Sequence, residues 1–189
     1  MSKKSTRERI VELADELFYQ QGFTETSFAD IAEKAGLSRG NFYYHFKSKD
    51  QILEAVIHRR LINTQALLDS WERANEIPAE RIRSFIHILI ANWTKIKLYG
   101  CPVGTLNTEM VKLDHVLQNQ AAEIFSLFRL WLAKQFILAG KEKDSDKLAM
   151  HLLARSQGVA TLASTFQDKQ FVQQEVQYMC DWLAAQLKT

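Results

Sequence analysis

Two prolines, seven glycines and two cysteines are all that this 189-residue chain contains of the residues that punctuate or staple a fold. So little proline and glycine excludes collagen-like and low-complexity architectures and leaves long stretches free to run as helices. Cys101 and Cys180 lie far apart and make neither a C-x-x-C pair nor a disulfide framework, which suits a reducing compartment. No charge of one sign dominates, since 24 basic against 22 acidic residues leave a net +2. Bulk basicity therefore announces no nucleic-acid binder, and any such claim rests on where individual charges sit. No apolar run approaches the roughly 18 residues of a membrane span, and the amino-terminal segment lacks an uninterrupted apolar leader. These absences predict a cytoplasmic protein with no membrane partner.

What is present is a 47% apolar composition, with apolar positions recurring every three and four residues rather than every two. That periodicity predicts an all-α chain of about nine helices and no strand. A chain of this length buries roughly 70% of its unfolded surface, enough for one or two cores. The first helix carries Ile10, Leu13, Ala14, Leu17 and Phe18 on one side and stops at Gly22. Ser27, with Asp30 behind it, opens a short second helix buried through Phe28, Ile31, Ala32 and Ala35. Gly36 permits an abrupt turn, Ser38 caps a third short helix, and Phe42 and Phe46 give that helix one apolar side. Ser48-Lys49-Asp50-Gln51 reads as a capping box opening a long helix to about Glu72, and Pro78 as the first turn of the next. Tyr99 to Gly104 breaks that helix, and a short piece to about Leu113 follows. Asp114 is expected to cap a long helix ended by Gly140. The last two helices run from about Ser145 to Phe166 and from Asp168 to Leu187.

Gly36-Leu37-Ser38-Arg39-Gly40 matches the G-x-S-x-G pattern of a nucleophilic serine. That chemistry needs a buried strand leading into the turn, because a strained strand-to-helix connection is what exposes the hydroxyl. Here the leading segment is an amphipathic helix bearing Asp30, Glu33 and Lys34. His45, His58, His87, His115 and His151 show no metal-ligand spacing either. No catalytic residue, metal or cofactor is expected, and the chain does not read as an enzyme. Two short helices joined at a glycine, with small Ala32 and Ala35 at the crossing, are what a helix-turn-helix requires, over about residues 27–46. With Phe42 and Phe46 inward, Arg39, Gly40, Asn41, Tyr43, Tyr44 and His45 remain toward solvent or the helix ends. Exposed Tyr-Tyr-His beside basic residues serves phosphate oxygens and thymine methyls better than it serves solubility. Gly40, without a side chain, lets a helix come close to base edges. For one of the two tyrosines a packing role stands beside the contact role.

The stretch "TSFADIAEKAGLSRGNFYYHFKSKDQIL", Thr26 to Leu53, resembles the amino-terminal domain of TetR-type bacterial transcriptional repressors, whose pattern is A-x-x-A-G-[VL]-S-x-G-x-[LF]-Y-x-[HY]-F-x-[ST]-K. Ala14, Leu17, Phe18, Gly22 and Phe23 are similar to that family's first helix. The resemblance covers residues 1 to about 55. It implies a DNA-binding domain over 1–50 and a helical regulatory and dimerisation domain over 51–189. By position it makes Thr26 or Ser27 a phosphate contact, Arg39, Gly40 and Asn41 base readers, and Tyr43, Tyr44 and His45 backbone contacts, with Lys49 touching phosphate. It also implies a homodimer on near-palindromic double-stranded operator DNA, released by a small-molecule effector whose identity the sequence does not carry.

Ala154, Gly158 and Thr161 recur at three- and four-residue steps, and a glycine inside a helix costs about 1 kcal/mol unless something packs close to it. A helix of a second copy and a helix of the same chain are both able to fill that role. In the family the last two helices form the dimer interface, which adds Val176, Met179 and Leu183. Trp93, Met110, Phe125, Phe128, Trp131 and Gln157 suit either a ligand cavity or plain core. "GCPVGTLNTEM", Gly100 to Met110, is similar to a stretch in a branch of the family that includes sensors of reactive electrophiles. Cys101 there is either a sensor thiol before a helix start or a small residue in a tight loop.

Overall fold

The computed structural model describes residues 5–188, and its elements are ten α-helices and one 3-10 turn. In chain order these are α1 (Thr6–Gln21), α2 (Phe28–Lys34), α3 (Arg39–His45), α4 (Lys49–Ala74), α5 (Pro78–Ala91), α6 (Trp93–Tyr99), α7 (Pro102–Lys112), α8 (Gln118–Leu138), α9 (Ser145–Phe166) and α10 (Lys169–Lys188), with the 3-10 turn at Glu142–Asp144. No strand occurs among the described residues. The count exceeds nine because the segment expected to be one helix after Pro78 divides at Asn92 into α5 and α6.

The chain forms two compact units. The first takes the chain to Ile62 together with Thr105–Ile124; the second takes Asn63–Gly104 and the chain from Phe125 onward. A single cut near residue 50 does not describe this partition. Leu106 and Met110 of α7, with Leu117 and Ala121, are buried in one cluster with Ile10, Phe18, Phe42, Phe46 and Leu53. Apolar contact rather than chain order thus decides the unit, since burying each large aliphatic side chain is worth about 1.5–3 kcal/mol.

In the first unit, α1 packs on α2 and α2 on α3. Local chemistry marks each boundary. Ser5 caps α1 in a reciprocal capping box with Glu8, and Ser27 does the same for α2 with Asp30. Gly22 ends α1 at φ +93. Ser48 accepts the Gln51 amide at 3.2 Å to open α4, while the Gln51 side chain accepts from Lys47 rather than from the cap residue. Asp114 departs from expectation. It lies at φ +47 beyond the end of α7, where its amide donates to Val111 and the His115 amide donates to Met110. That pair of bonds is a Schellman closure of α7, so Asp114 ends one helix instead of opening the next.

In the second unit, α10 packs on α5 and α9, and α9 also packs on α5 and α6. Its interior holds Ile82, Phe85 and Ile86 of α5, Leu152, Val159 and Ala163 of α9, and Val172, Val176, Met179 and Leu183 of α10. Arg155 donates to Glu175 at 2.8 Å, tying α9 to α10. A buried polar group accompanies this core: Gln135, fully buried, donates to Glu72 at 3.1 Å and accepts from Arg81 at 3.2 Å. Lys134, by its hydrogen bond to Glu72, holds that carboxyl below the usual carboxylate range.

Candidate nucleic-acid interface

The turn between α2 and α3 is built by the backbone. Gly36 sits at φ +66, its amide donates to Glu33, and the Leu37 amide donates to Ala32. This Schellman closure needs a left-handed residue at that place, which favours glycine. Ser38 then accepts the Asn41 amide at 3.4 Å and opens α3. Leading into Ser38 is helix α2 and this turn, not a strand, so the context of a nucleophile elbow is absent and the hydroxyl is a helix cap. Arg9 of α1 donates to the Ala35 carbonyl at the end of α2, placing a cation where the helix dipole is negative.

α3 has two unlike sides. Phe42 and Phe46 are buried, Phe42 edge-on to Phe28 of α2 with ring centroids 4.6 Å apart. Asn41 and Gly40 are exposed, and a Cβ added at Gly40 meets nothing within 4 Å. Tyr44 is 79% exposed, with His45, half-buried, edge-on to its ring at 5.2 Å. Tyr43 is the tyrosine with a packing role: its ring lies 4.9 Å from that of Phe28, although half of it remains exposed. Arg39 opens α3, and its side chain lies outside the described residues.

Two expected phosphate contacts take other roles. Thr26 is completely buried and donates its hydroxyl to the Gly22 carbonyl at 2.7 Å, whereas Ser27, at the start of α2, is exposed. The Ser27 amide, and secondarily its hydroxyl, hold the Asp30 carboxyl below its ordinary value. Lys49 points its ammonium back to the carbonyls of Phe23 at 2.7 Å and Thr26 at 3.0 Å, and lies 4.1 Å over the Phe23 ring. An ammonium so engaged is a fastening for the segment after α1 rather than a free phosphate ligand.

Residues that sequence reasoning missed complete this fastening. Glu109 of α7 accepts the amides of Phe23 at 2.8 Å and Thr24 at 2.7 Å. His115 packs edge-on to Phe23 at 5.1 Å, accepts the Leu117 amide at 3.1 Å and sets Nε2 3.5 Å from Asp50. Glu109 ends the "GCPVGTLNTE" stretch, but no local spacing shows which amides it reaches.

The residues expected around a ligand divide between the units. Met110 is fully buried in the core of the first. Trp93, Cys101, Phe125, Phe128, Trp131 and Gln157 belong to the second. There Phe128 lies 5.6 Å from Phe85, and Trp131 lies 5.5 Å from Trp71. The buried Trp131 indole N–H makes no hydrogen bond of good geometry and has the Glu72 carboxylate as a polar neighbour. Gln157 approaches Gly104 so closely that a Cβ there would come 2.5 Å from its Oε1. Cys101 stands just before α7 and accepts the Gly104 amide on its sulfur at 3.4 Å. Among the expected interface residues, Ala154, Gly158 and Thr161 are exposed along α9. Val176, Met179 and Leu183 are instead buried within their own chain. Among the described residues, no group of three histidine, cysteine or acidic side chains could hold a metal ion, and no helix is long and apolar enough to cross a membrane.

A short, sharply turned helix pair whose second member is seated by aromatic residues and bare on its outer edge defines a helix-turn-helix transcriptional regulator. Residues 10–56 match the bacterial regulatory proteins of the tetR family, and residues 78–188 match the carboxy-terminal domain of LmrA/YxaF-like transcriptional regulators. The chain belongs to the TetR family. It is 30% identical over 169 residues to an HTH-type transcriptional regulator in the lacX 3'region of Lactococcus lactis subsp. lactis, covering 87% of this chain and 86% of that protein. It is 26% identical to the HTH-type transcriptional repressor DhaR of Mycobacterium sp. (strain GP1), covering 84% of this chain and 82% of DhaR. A TetR transcriptional regulator from Legionella pneumophila superposes with a TM-score of 0.83 at 27% identity, covering 95% of this chain and 97% of that one. Regulators of this family bind operator DNA, typically as dimers, and are not enzymes.

Proposed function

We propose that this protein is a cytoplasmic, ligand-responsive repressor that occupies a near-palindromic operator as a dimer and leaves it when a small molecule binds or Cys101 is modified. The observation that carries the DNA part is the contrast across α3, where Phe42 and Phe46 are buried while Gly40, Asn41 and Tyr44 face outward. Asn41 then reads a base edge, with Arg39 and Gly40 beside it, and Ser27, Tyr43, Tyr44 and His45 contact the backbone. DhaR, a relative along most of this chain, is a transcriptional repressor.

Support for the dimer comes from α9, where Ala154, Gly158 and Thr161 form an exposed row and a Cβ at Gly158 meets nothing within 4 Å. A two-fold dimer that reads successive major grooves has its two reading helices about one DNA turn apart, about 34–36 Å. The effector reading rests on the aromatic side chains of the second unit, Trp93, Phe125, Phe128 and Trp131, with Gln157 as a polar anchor. Cys101 joins them through its place at the start of α7. A ligand or thiol adduct acts only through different affinities for DNA-competent and DNA-incompetent states.

The test is a mobility-shift titration of the full chain on the intergenic duplex upstream of its own gene, with and without a panel of small molecules. Binding that one compound abolishes is the expected result. Failure to bind any duplex overturns the DNA reading, and binding that no compound alters overturns the effector reading. For the thiol, limited N-ethylmaleimide treatment followed by mass spectrometry should label Cys101 before Cys180, whose thiol burial pushes up. Equal, slow labelling of the two sinks the sensor.

A further inference from the structure

The segment that joins α1 to α2, Gly22 to Thr26, is gripped by opposite charges at its opposite polar groups. On one side the Glu109 carboxylate takes two successive amides, Oε2 from Phe23 at 2.8 Å and Oε1 from Thr24 at 2.7 Å. On the other, the Lys49 ammonium takes the carbonyls of Phe23 at 2.7 Å and Thr26 at 3.0 Å. The Thr26 hydroxyl closes the segment on the Gly22 carbonyl at 2.7 Å. Phe23 is the buried anchor between them, with Lys49 over its ring and Phe18 and His115 edge-on to it. Gly22 is needed twice here. Its φ is +93, and a Cβ would stand 3.3 Å from both Glu109 oxygens.

Charge-assisted hydrogen bonds of this kind are about twice as strong as neutral ones, and a carboxylate bound by two amides fixes direction as well as distance. The next residue after the gripped segment is Ser27, the cap of α2, and α2 packs on α3. The angle at which α2 leaves the segment therefore sets where α3 presents Asn41. Glu109 acts through the backbone it holds.

We infer that Glu109 is a positioning residue for operator binding, its carboxylate holding the Phe23 and Thr24 amides so that α2 and α3 keep the orientation that reads DNA. This rests on the proposed DNA-reading function of α3. Glu109→Ala removes both acceptors, and Glu109→Gln keeps the shape while replacing one acceptor oxygen by an amide that cannot accept.

Both variants and the parent, as full chains, are titrated by fluorescence anisotropy against the upstream intergenic duplex, well below their melting temperatures with folding verified by circular dichroism. The same three proteins are followed by amide hydrogen exchange at Phe23 and Thr24. The expected result is a loss of operator affinity of roughly tenfold or more for Glu109→Ala, the scale of a displaced base contact, with a smaller loss for Glu109→Gln. Exchange at the two amides should rise in the same order. A residue that only added stability would lower the melting temperature and leave the affinity of the folded protein alone. Affinities within twofold of the parent overturn the inference, as does unchanged exchange. Should Glu109→Ala not fold, Glu109→Gln carries the test by the same criteria. A parent protein that binds no duplex, with exchange still rising in the variants, overturns the DNA reading and leaves the clamp itself standing.

Discussion

The inner and outer sides of the helix-turn-helix are built on opposite rules. Inside, Glu109 takes the Phe23 and Thr24 amides, Lys49 the Phe23 and Thr26 carbonyls, and the Thr26 hydroxyl the Gly22 carbonyl, around the buried ring of Phe23. Outside, on α3, Gly40 has empty space where a Cβ would be, and Tyr44 is largely bare. The first region is satisfied by the protein itself; the second has capacity left over. A protein that must place a reading helix accurately and still leave it free to touch something else needs both.

Mutations can break this contrast from either side. The largest effect is expected on the inside: Phe42→Ala, at a fully buried site, should cost about 3–5 kcal/mol in a urea melt and abolish DNA binding with the fold. On the outside, Asn41→Ala should leave the melt within about 0.5 kcal/mol of the parent yet lose about 1–3 kcal/mol of discrimination at one base position. Unchanged preference across a set of single-base operator variants would remove Asn41 from the readers.

The two glycines of the motif should part in the same way. Gly36→Ala forces a side chain to φ +66 and should destabilise by about 1–2 kcal/mol. Gly40→Ala, in a helix with open space around it, should stabilise by about 0.5–1 kcal/mol while weakening operator binding, because the added methyl stands on the reading edge. Equal effects of the two substitutions on stability would erase the distinction between turn glycine and edge glycine.

The smallest effect is the pH dependence. Asp30, Glu72 and Asp146 all have carboxyls held below their ordinary values, by the Ser27 amide, by Lys134 and by Arg129 respectively. A depressed folded pKa means that the unfolded chain binds protons first as pH falls. The stabilisation is therefore complete above the ordinary carboxylate range and is lost on acidification through the folded values. Melting temperature should be flat across neutral pH and fall only in acid, and replacing Asp30 by asparagine should make that fall slightly shallower. Asp30 and Asp146 lie at the surface and Glu72 is partly exposed, so solvent and salt screen them and the change is modest.

Much of the helical pattern was readable residue by residue. Ser27 and Ser38 act as caps, Gly36 turns the chain, and Phe42 and Phe46 face inward, because each of these roles is decided within four or five residues. Reading failed where a local signal had a competing local use. Asp114 resembles an N-cap, but the left-handed closure of α7 claims it. It failed too where one face of a helix cannot be told from another: Val176, Met179 and Leu183 make a regular apolar stripe, and the stripe faces their own chain. Met110 lies in the same stretch as Cys101 and in a different unit, since α7 contributes to both.

What the sequence by itself determined is the helix-turn-helix and its outward residues, since caps, glycine turns and the spacing of two phenylalanines are short-range chemistry. Only the tertiary structure decided which polar side chains are spent on the protein's own backbone. Lys49 and Thr26 resemble DNA contacts in one dimension and are fastenings in three. Glu109 reaches Thr24 across a sequence separation of 85 residues. Such pairings follow from which apolar surfaces pack together, and burial, unlike helix capping, takes no account of distance along the chain.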